Sequence, residues 1–115
     1  MVDQPLLIRE YLTADGKNPF RQWLDGLDLK TRARIQARVL RLSTGNLGDH
    51  KGVGHGVWEA RVMFGPGYRI YFGRDGRALI VLLVGGDKAS QGHDISTAQA
   101  YWKAYQEAQH GKTKP

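Results

Sequence analysis

Residues 57–85 read VWEARVMF, GPG, YRIYFG, RDGR and ALIVLLVG in turn, and this stretch decides the fold. In the first segment Trp58, Ala60, Val62 and Phe64 fall on one side. Glu59, Arg61 and Met63 fall on the other. A period of two belongs to a strand with one buried face. Gly65-Pro66-Gly67 is a turn, and residues 68–73 return as the second strand of a hairpin. Asp75-Gly76 carries the signal of a two-residue turn. Residues 78–85 do not alternate, which marks a central strand buried on both faces.

Hairpin turns set register, and register sets neighbours. With the turn at residues 65–67, Phe64 is expected opposite Tyr68, Val62 opposite Ile70 and Ala60 opposite Phe72, all on the core face. The other face then holds Arg61 across from Tyr71, with Arg69 diagonal to Arg61. The second turn is expected to pair Phe72 with Leu79 and Tyr71 with Ile80. Two guanidinium groups this close repel unless an anion lies between them. Glu59, on the same face, is one such anion; a bound phosphate is another. The reading favoured is a phosphate contact for Arg61 and a partly buried structural role for Arg69.

Upstream, residues 5–12 (PLLIREYL) look like a first strand, followed by turn-prone residues 14–17. Asn18-Pro19 reads as a helix cap and first helical residue. Phe20, Trp23, Leu24 and Leu27 follow at helical spacing. Asp28 caps a second helix over residues 29–42, with Ile35, Val39 and Leu42 on one side and Lys30, Arg32, Arg34, Arg38 and Arg41 elsewhere. No acid lies among them, so this side is expected to face a polyanion or to be a solvated face that holds an acidic partner or nothing. Residues 43–56 are glycine-rich and read as a loop. They do not end in the Gly-Lys-Ser/Thr of a phosphate-binding loop. Residues 86–93 form a second loop. A last helix is expected to start near Asp94 or Ser96 and to stop at Gly111.

The order β-α-α-β-β-β-α predicts an α+β fold: a curved, mostly antiparallel four-stranded sheet with the helices packed on one face. The 115 residues suit one domain, expected over residues 1–110, with a polar tail at 111–115. Seventeen basic residues against eleven acidic ones give a formal net charge of +6, an electrostatic reason to meet a polyanion. There is no cysteine, which excludes a disulfide framework and a thiolate zinc site. The expected location is cytoplasmic, since no signal peptide or spanning segment is visible.

Taken together, the run VWEARVMFGPGYRIYF and the later LLVGGDKASQGHDISTA resemble the HigB-like branch of the RelE/ParE toxins, often described as phage-derived addiction-module killer proteins. The resemblance spans nearly the whole chain. It includes the early NPFRQWLDGL helix and the basic second helix. It implies a RelE/ParE-like fold and a type II toxin that cuts mRNA on the ribosome. The implied partners are the ribosome, mRNA and an adjacent antitoxin of the helix-turn-helix DNA-binding kind, with no membrane. Relatives on the same fold poison DNA gyrase instead, and a degenerate member would only bind RNA or its antitoxin.

The chemistry implied uses the neighbouring 2′-hydroxyl as nucleophile and needs neither a metal nor a cofactor. The protein has to stabilise charge on phosphorus and manage two protons. The resemblance places a basic residue at the strand position of Arg61, and guanidinium holds phosphate bidentately. Lys88, after the central strand, is a candidate general acid or phosphate contact. His55 is a candidate for proton transfer. Asp94 is either a base or a helix cap. Lys51, Arg69, Tyr71, Gln91, Arg34 and Arg38 are candidate RNA contacts. Residues 85–88 (GGDK) stand where relatives carry a tyrosine or histidine directly after the last strand.

Overall fold

The computed structural model describes residues 4–113. The strands are β1 (Leu7–Glu10), β2 (His50–Gly52), β3 (Val57–Val62), β4 (Tyr68–Asp75) and β5 (Leu79–Asp87). The helices are α1 (Pro19–Asp25), α2 (Leu29–Ser43) and α3 (Gln91–Thr113), with a short 3-10 turn at Lys88–Ser90 before the last. The expected α+β class holds. The sheet has five strands rather than four, in the order β1-β5-β4-β3-β2. The extra strand, β2, comes from the stretch expected to be a loop; it pairs His50, Lys51 and Gly52 with Ala60, Glu59 and Trp58. Its glycine flanks hid it. β1 lies parallel to β5, and the other pairings are antiparallel.

The caps follow the sequence reading. Asn18 accepts from the amide of Arg21 with Pro19 at the first helical position, and Asp28 accepts from that of Thr31. Each satisfies a helical N–H that would otherwise lack a partner.

The helices do not share one face of the sheet. Phe20 and Leu24 of α1 and Ile35 and Leu42 of α2 pack with Ala60, Val62, Ile70, Phe72, Ile80 and Leu82. Ala98, Trp102 and Tyr105 of α3 pack on the opposite face with Val57, Tyr71, Val81 and Leu83. The apolar run of β5 is the cause: a strand apolar on both sides needs cover on both. β5 also runs beyond its expected end to Asp87. Gly85 lets the Trp23 ring lie against the strand from one side, and Gly86 admits the Asp94 carboxylate from the other. A side chain at either position would overlap those groups, which is how glycine earns a place inside a strand.

α3 begins at Gln91, earlier than expected, because Asp87 accepts from the Ser90 amide and starts the turn. Asp94 therefore sits inside the first helical turn and does not cap it. The helix continues past Gly111 to Thr113. A glycine costs a helix only about 1 kcal/mol, so it did not act as a stop. Of the expected tail, residues 114–115 lie outside the described residues.

The β3–β4 register differs by two residues from expectation. Val62 pairs with Tyr68, Ala60 with Ile70 and Glu59 with Tyr71, which puts Arg61 directly opposite Arg69. The loop is wider than the glycines suggested: Met63 and Phe64 leave the ladder, and Gly67 N–H donates to Phe64 O. Between β4 and β5, Tyr71 pairs with Val84 but Phe72 with Leu82. Leu83 is the extra residue of a bulge. Ile80 stands opposite Arg74, so the expected Tyr71–Ile80 pairing does not form.

Candidate functional site

A two-residue slip preserves which face each side chain occupies. Glu59, Arg61, Arg69 and Tyr71 therefore still share the α3 side of the sheet, and they gather around one buried carboxylate. The side chain of Glu59 is 0% exposed, with Arg61 Nε 3.7 Å from Oε1 and Arg69 Nε 3.5 Å from Oε2. The Tyr71 hydroxyl and the Gln91 side-chain amide each donate to Oε2 at 3.0 Å. Gln91 thus ties the start of α3 to the sheet through the same carboxylate. Burial, and then the charge of Glu59, push the Tyr71 hydroxyl well above the ordinary tyrosine value. It remains a neutral donor to the carboxylate.

One carboxylate faces two guanidinium groups, and these differ in access. The side chain of Arg69 is 12% exposed and that of Arg61 is 37% exposed. Arg69 also donates through Nη1 to Gly67 O at 3.2 Å. Arg69 is held, while Arg61 keeps an open edge. Arg69 is the more buried of the two, as expected, although they stand opposite rather than diagonal. Tyr71 is fully buried, so the RNA contact expected of it falls away.

Arg61 lines two adjoining hollows. One, of ≈ 470 Å³, runs over the β3–β4 loop and is walled by Arg61, Met63, Phe64, Arg69 and Lys88. The Lys88 amide donates to Gly67 O at 3.1 Å, which fixes the lysine beside that loop with its side chain exposed. The other, of ≈ 350 Å³, lies between α2 and β3 and is lined by Arg34, Arg38, Arg41, Asp49 and Arg61. The two share Arg61, Met63 and Phe64. They form a cationic groove with Arg61 at its middle, containing Asp49 as its one lining acid among the described residues. Each half is of a size that takes a small ligand, about 300–1,000 Å³.

The basic helix splits its duties. Arg34 is exposed and its guanidinium carbon lies 4.7 Å from the Phe64 ring centre, a cation–π arrangement. Arg38 was expected to be a free RNA contact, but it is buried. It donates to Arg61 O at 3.0 Å, Leu47 O at 2.6 Å and Asp49 O at 3.1 Å. Burial, and then Arg41, lower its pKa. Arg38 is a clamp between α2, β3 and the loop before β2. The expected place on the polar side of the helix is corrected: Thr31, Ile35, Arg38 and Leu42 form the buried side of α2, where three carbonyls converge on the guanidinium.

The remaining candidates are dispersed. Asp94 is buried, accepts from the Ser90 hydroxyl and lies against Gly86; it lines neither half of the groove. His55 is exposed in the β2–β3 turn, in a left-handed conformation with φ 54°. It borders a separate hollow with Gln99, Lys103 and Gln106. Lys51 is exposed on β2, in register with Glu59. Gln91 is spent on Glu59 rather than on the groove. Glu59 itself, one of the two anions expected between the arginines, is the organising residue. Its signal was the single acid on the arginine-bearing face of the hairpin. Among the described residues no cluster of histidine, aspartate and glutamate is arranged to hold a metal, and no helix is long and apolar enough to cross a membrane.

Residues 22–109 match a family model described as "Phage derived protein Gp49-like (DUF891)". This span includes α2, the whole groove and most of α3. The chain is also 44% identical over 81 residues to a Haemophilus influenzae protein described as "Uncharacterized protein", covering 70% of this chain and 82% of that one.

Proposed function

The chain belongs to the phage-derived Gp49-like family, within the RelE/HigB-type toxin superfamily, and from that premise we propose that it is a HigB-like type II toxin that cuts mRNA on the ribosome. It acts in the cytoplasm and is silenced by an antitoxin encoded beside it. The observation that carries this reading is the open cationic groove with Arg61 at its centre and Arg69 and Lys88 beside it.

In this reading the scissile phosphate lies against Arg61. The 2′-hydroxyl oxygen attacks phosphorus as its proton passes to solvent water, the bond to the 5′-oxygen breaks, and the products are a 2′,3′-cyclic phosphate and a 5′-hydroxyl. Negative charge builds on the non-bridging oxygens in the transition state. Arg61 meets it with the open edge of a guanidinium whose Nε lies 3.7 Å from Glu59 Oε1. Arg69 adds a second positive charge from below. Lys88 neutralises phosphate at the mouth and donates the proton that the departing 5′-oxygen takes up. Arg34 and Arg41 hold the strand further along the groove. The work is electrostatic and needs no metal.

Induced expression followed by mapping of transcript 5′ ends tests the reading. Cuts confined to translated regions are expected for the wild type, and Arg61→Ala lowers them about 10²–10³-fold. Growth arrest with DNA damage and intact transcripts assigns the chain to gyrase poisoning instead.

A further inference from the structure

α2 is apolar on two sides. Its inner side carries Ile35 and Leu42 into the core. Its outer side carries Leu29 and Leu40, which are 78% and 67% exposed. Eleven residues are close to three helical turns, so these two leucines lie in one row. Ala33 and Ala37 fall between them and are also exposed. The row is apolar and about three turns long.

Its border is charged. At 3.6 residues per turn, Lys30, Arg34 and Arg41 form the adjacent row, on the side facing the groove. Lys30 Nζ and the Arg34 guanidinium carbon lie 5.9 and 4.7 Å from the Phe64 ring centre. Arg34 and Arg41 are themselves wall residues of the groove. α2 contains five basic residues and no acid, so like-charge repulsion along it is unrelieved from within the helix.

We propose that the outer face of α2 is the docking surface for an acidic amphipathic helix of a partner protein. Its apolar side lies along Leu29, Ala33, Ala37 and Leu40. Its carboxylates meet Lys30, Arg34 and Arg41. A second copy of this chain does not fit, because its own α2 would bring a like-charged row to the same border. Helix-in-groove recognition with anchors three and four residues apart suits the geometry. A helix seated there also overhangs the groove wall and competes with a polyanion for Arg34 and Arg41. This second consequence rests on reading the groove as an RNA site, and the choice of partner in the test rests on the proposed toxin–antitoxin reading.

The test uses the full chain and the purified product of the adjacent open reading frame. Calorimetry compares the wild type with Leu29→Gln/Leu40→Gln, a change that leaves charge and groove intact. Removing two leucine anchors is expected to weaken the complex about 100-fold or more. The melting profile and the affinity for a labelled single-stranded RNA oligonucleotide stay as in the wild type. Rising salt weakens the wild-type complex. Equal affinity for the double variant overturns the proposal, as does a wild type that does not bind that product. A wild-type dimer that the two substitutions dissociate also overturns it, by giving the face to a second copy. Loss of partner binding in a protein that never cleaves RNA upholds the docking surface and rejects the nuclease reading alone.

Discussion

Arg61 and Arg69 stand directly opposite each other across β3 and β4, and both lean on the buried carboxylate of Glu59. Two guanidinium groups share one carboxylate, so positive charge remains in excess. It is expressed through the more exposed partner, Arg61. Substituting Arg61 with alanine is expected to lower RNA cleavage about 10²–10³-fold, as loss of a transition-state donor does. Because the side chain is partly open to water, thermal unfolding changes little. Arg61→Lys keeps the charge but not the fork, and recovers only part of the rate. Cleavage and melting curves measured on the same preparations check this.

Glu59 carries the opposite signature. Glu59→Ala leaves Arg69 buried without its counter-charge. It is expected to cost about 3–5 kcal/mol, a large part of the roughly 5–15 kcal/mol that holds a domain together. Glu59→Gln retains an acceptor for Tyr71 and Gln91 and costs less. Urea denaturation of the two variants separates these outcomes.

Tyr71 gives a pH dependence. Its folded-state pKa is raised above the ordinary value of 10.0, mainly by burial. A raised pKa means its contribution is complete below pH 10 and is lost as pH climbs beyond that, since the unfolded chain ionises first. The wild type is expected to lose stability steeply in alkali, with part of its phenolate absorbance appearing only on unfolding. Tyr71→Phe is less stable at neutral pH by about 1 kcal/mol, for the lost hydrogen bond. Its decline above pH 10 is shallower.

Gly85→Ala is expected to destabilise by about 1–3 kcal/mol, because the added methyl group meets the Trp23 ring. Pairing it with Trp23→Ala recovers little, since the lost ring leaves a cavity. Thermal melts of the single and double variants measure the coupling.

His55→Ala is expected to leave cleavage within a few-fold of wild type, because His55 borders a hollow that shares no lining residue with the groove. A loss comparable to that of Arg61→Ala contradicts this placement. The same cleavage assay decides it.

Periodicity made most of the fold legible. The alternation from Val57 onward, the unbroken apolar run of β5, and the caps Asn18 and Asp28 each state a local rule that the structure keeps. The misreadings share a cause: they depend on what lies across the sheet. Helices occupy both faces because β5 is apolar on both, a consequence the run itself contained. The two-residue slip at Val62 and Tyr68 came from loop geometry that a Gly-Pro-Gly signal does not specify. Face assignment survived the slip because two is the strand period. That is why Arg61, Arg69 and Glu59 were grouped from sequence although their partners were not. Arg38 and Tyr71 were placed on the correct elements, but their burial depends on carbonyls and carboxylates distant in the chain.

The central claim is that the groove around Arg61 cuts mRNA by 2′-oxygen attack. Its most direct test incubates the purified chain with a defined mRNA and translating ribosomes, then identifies the new ends. The account predicts fragments ending in a 2′,3′-cyclic phosphate and a 5′-hydroxyl. They form with the wild type and fall about 10²–10³-fold with Arg61→Ala. Intact mRNA with an active, folded wild type, or equal cutting by Arg61→Ala, contradicts it.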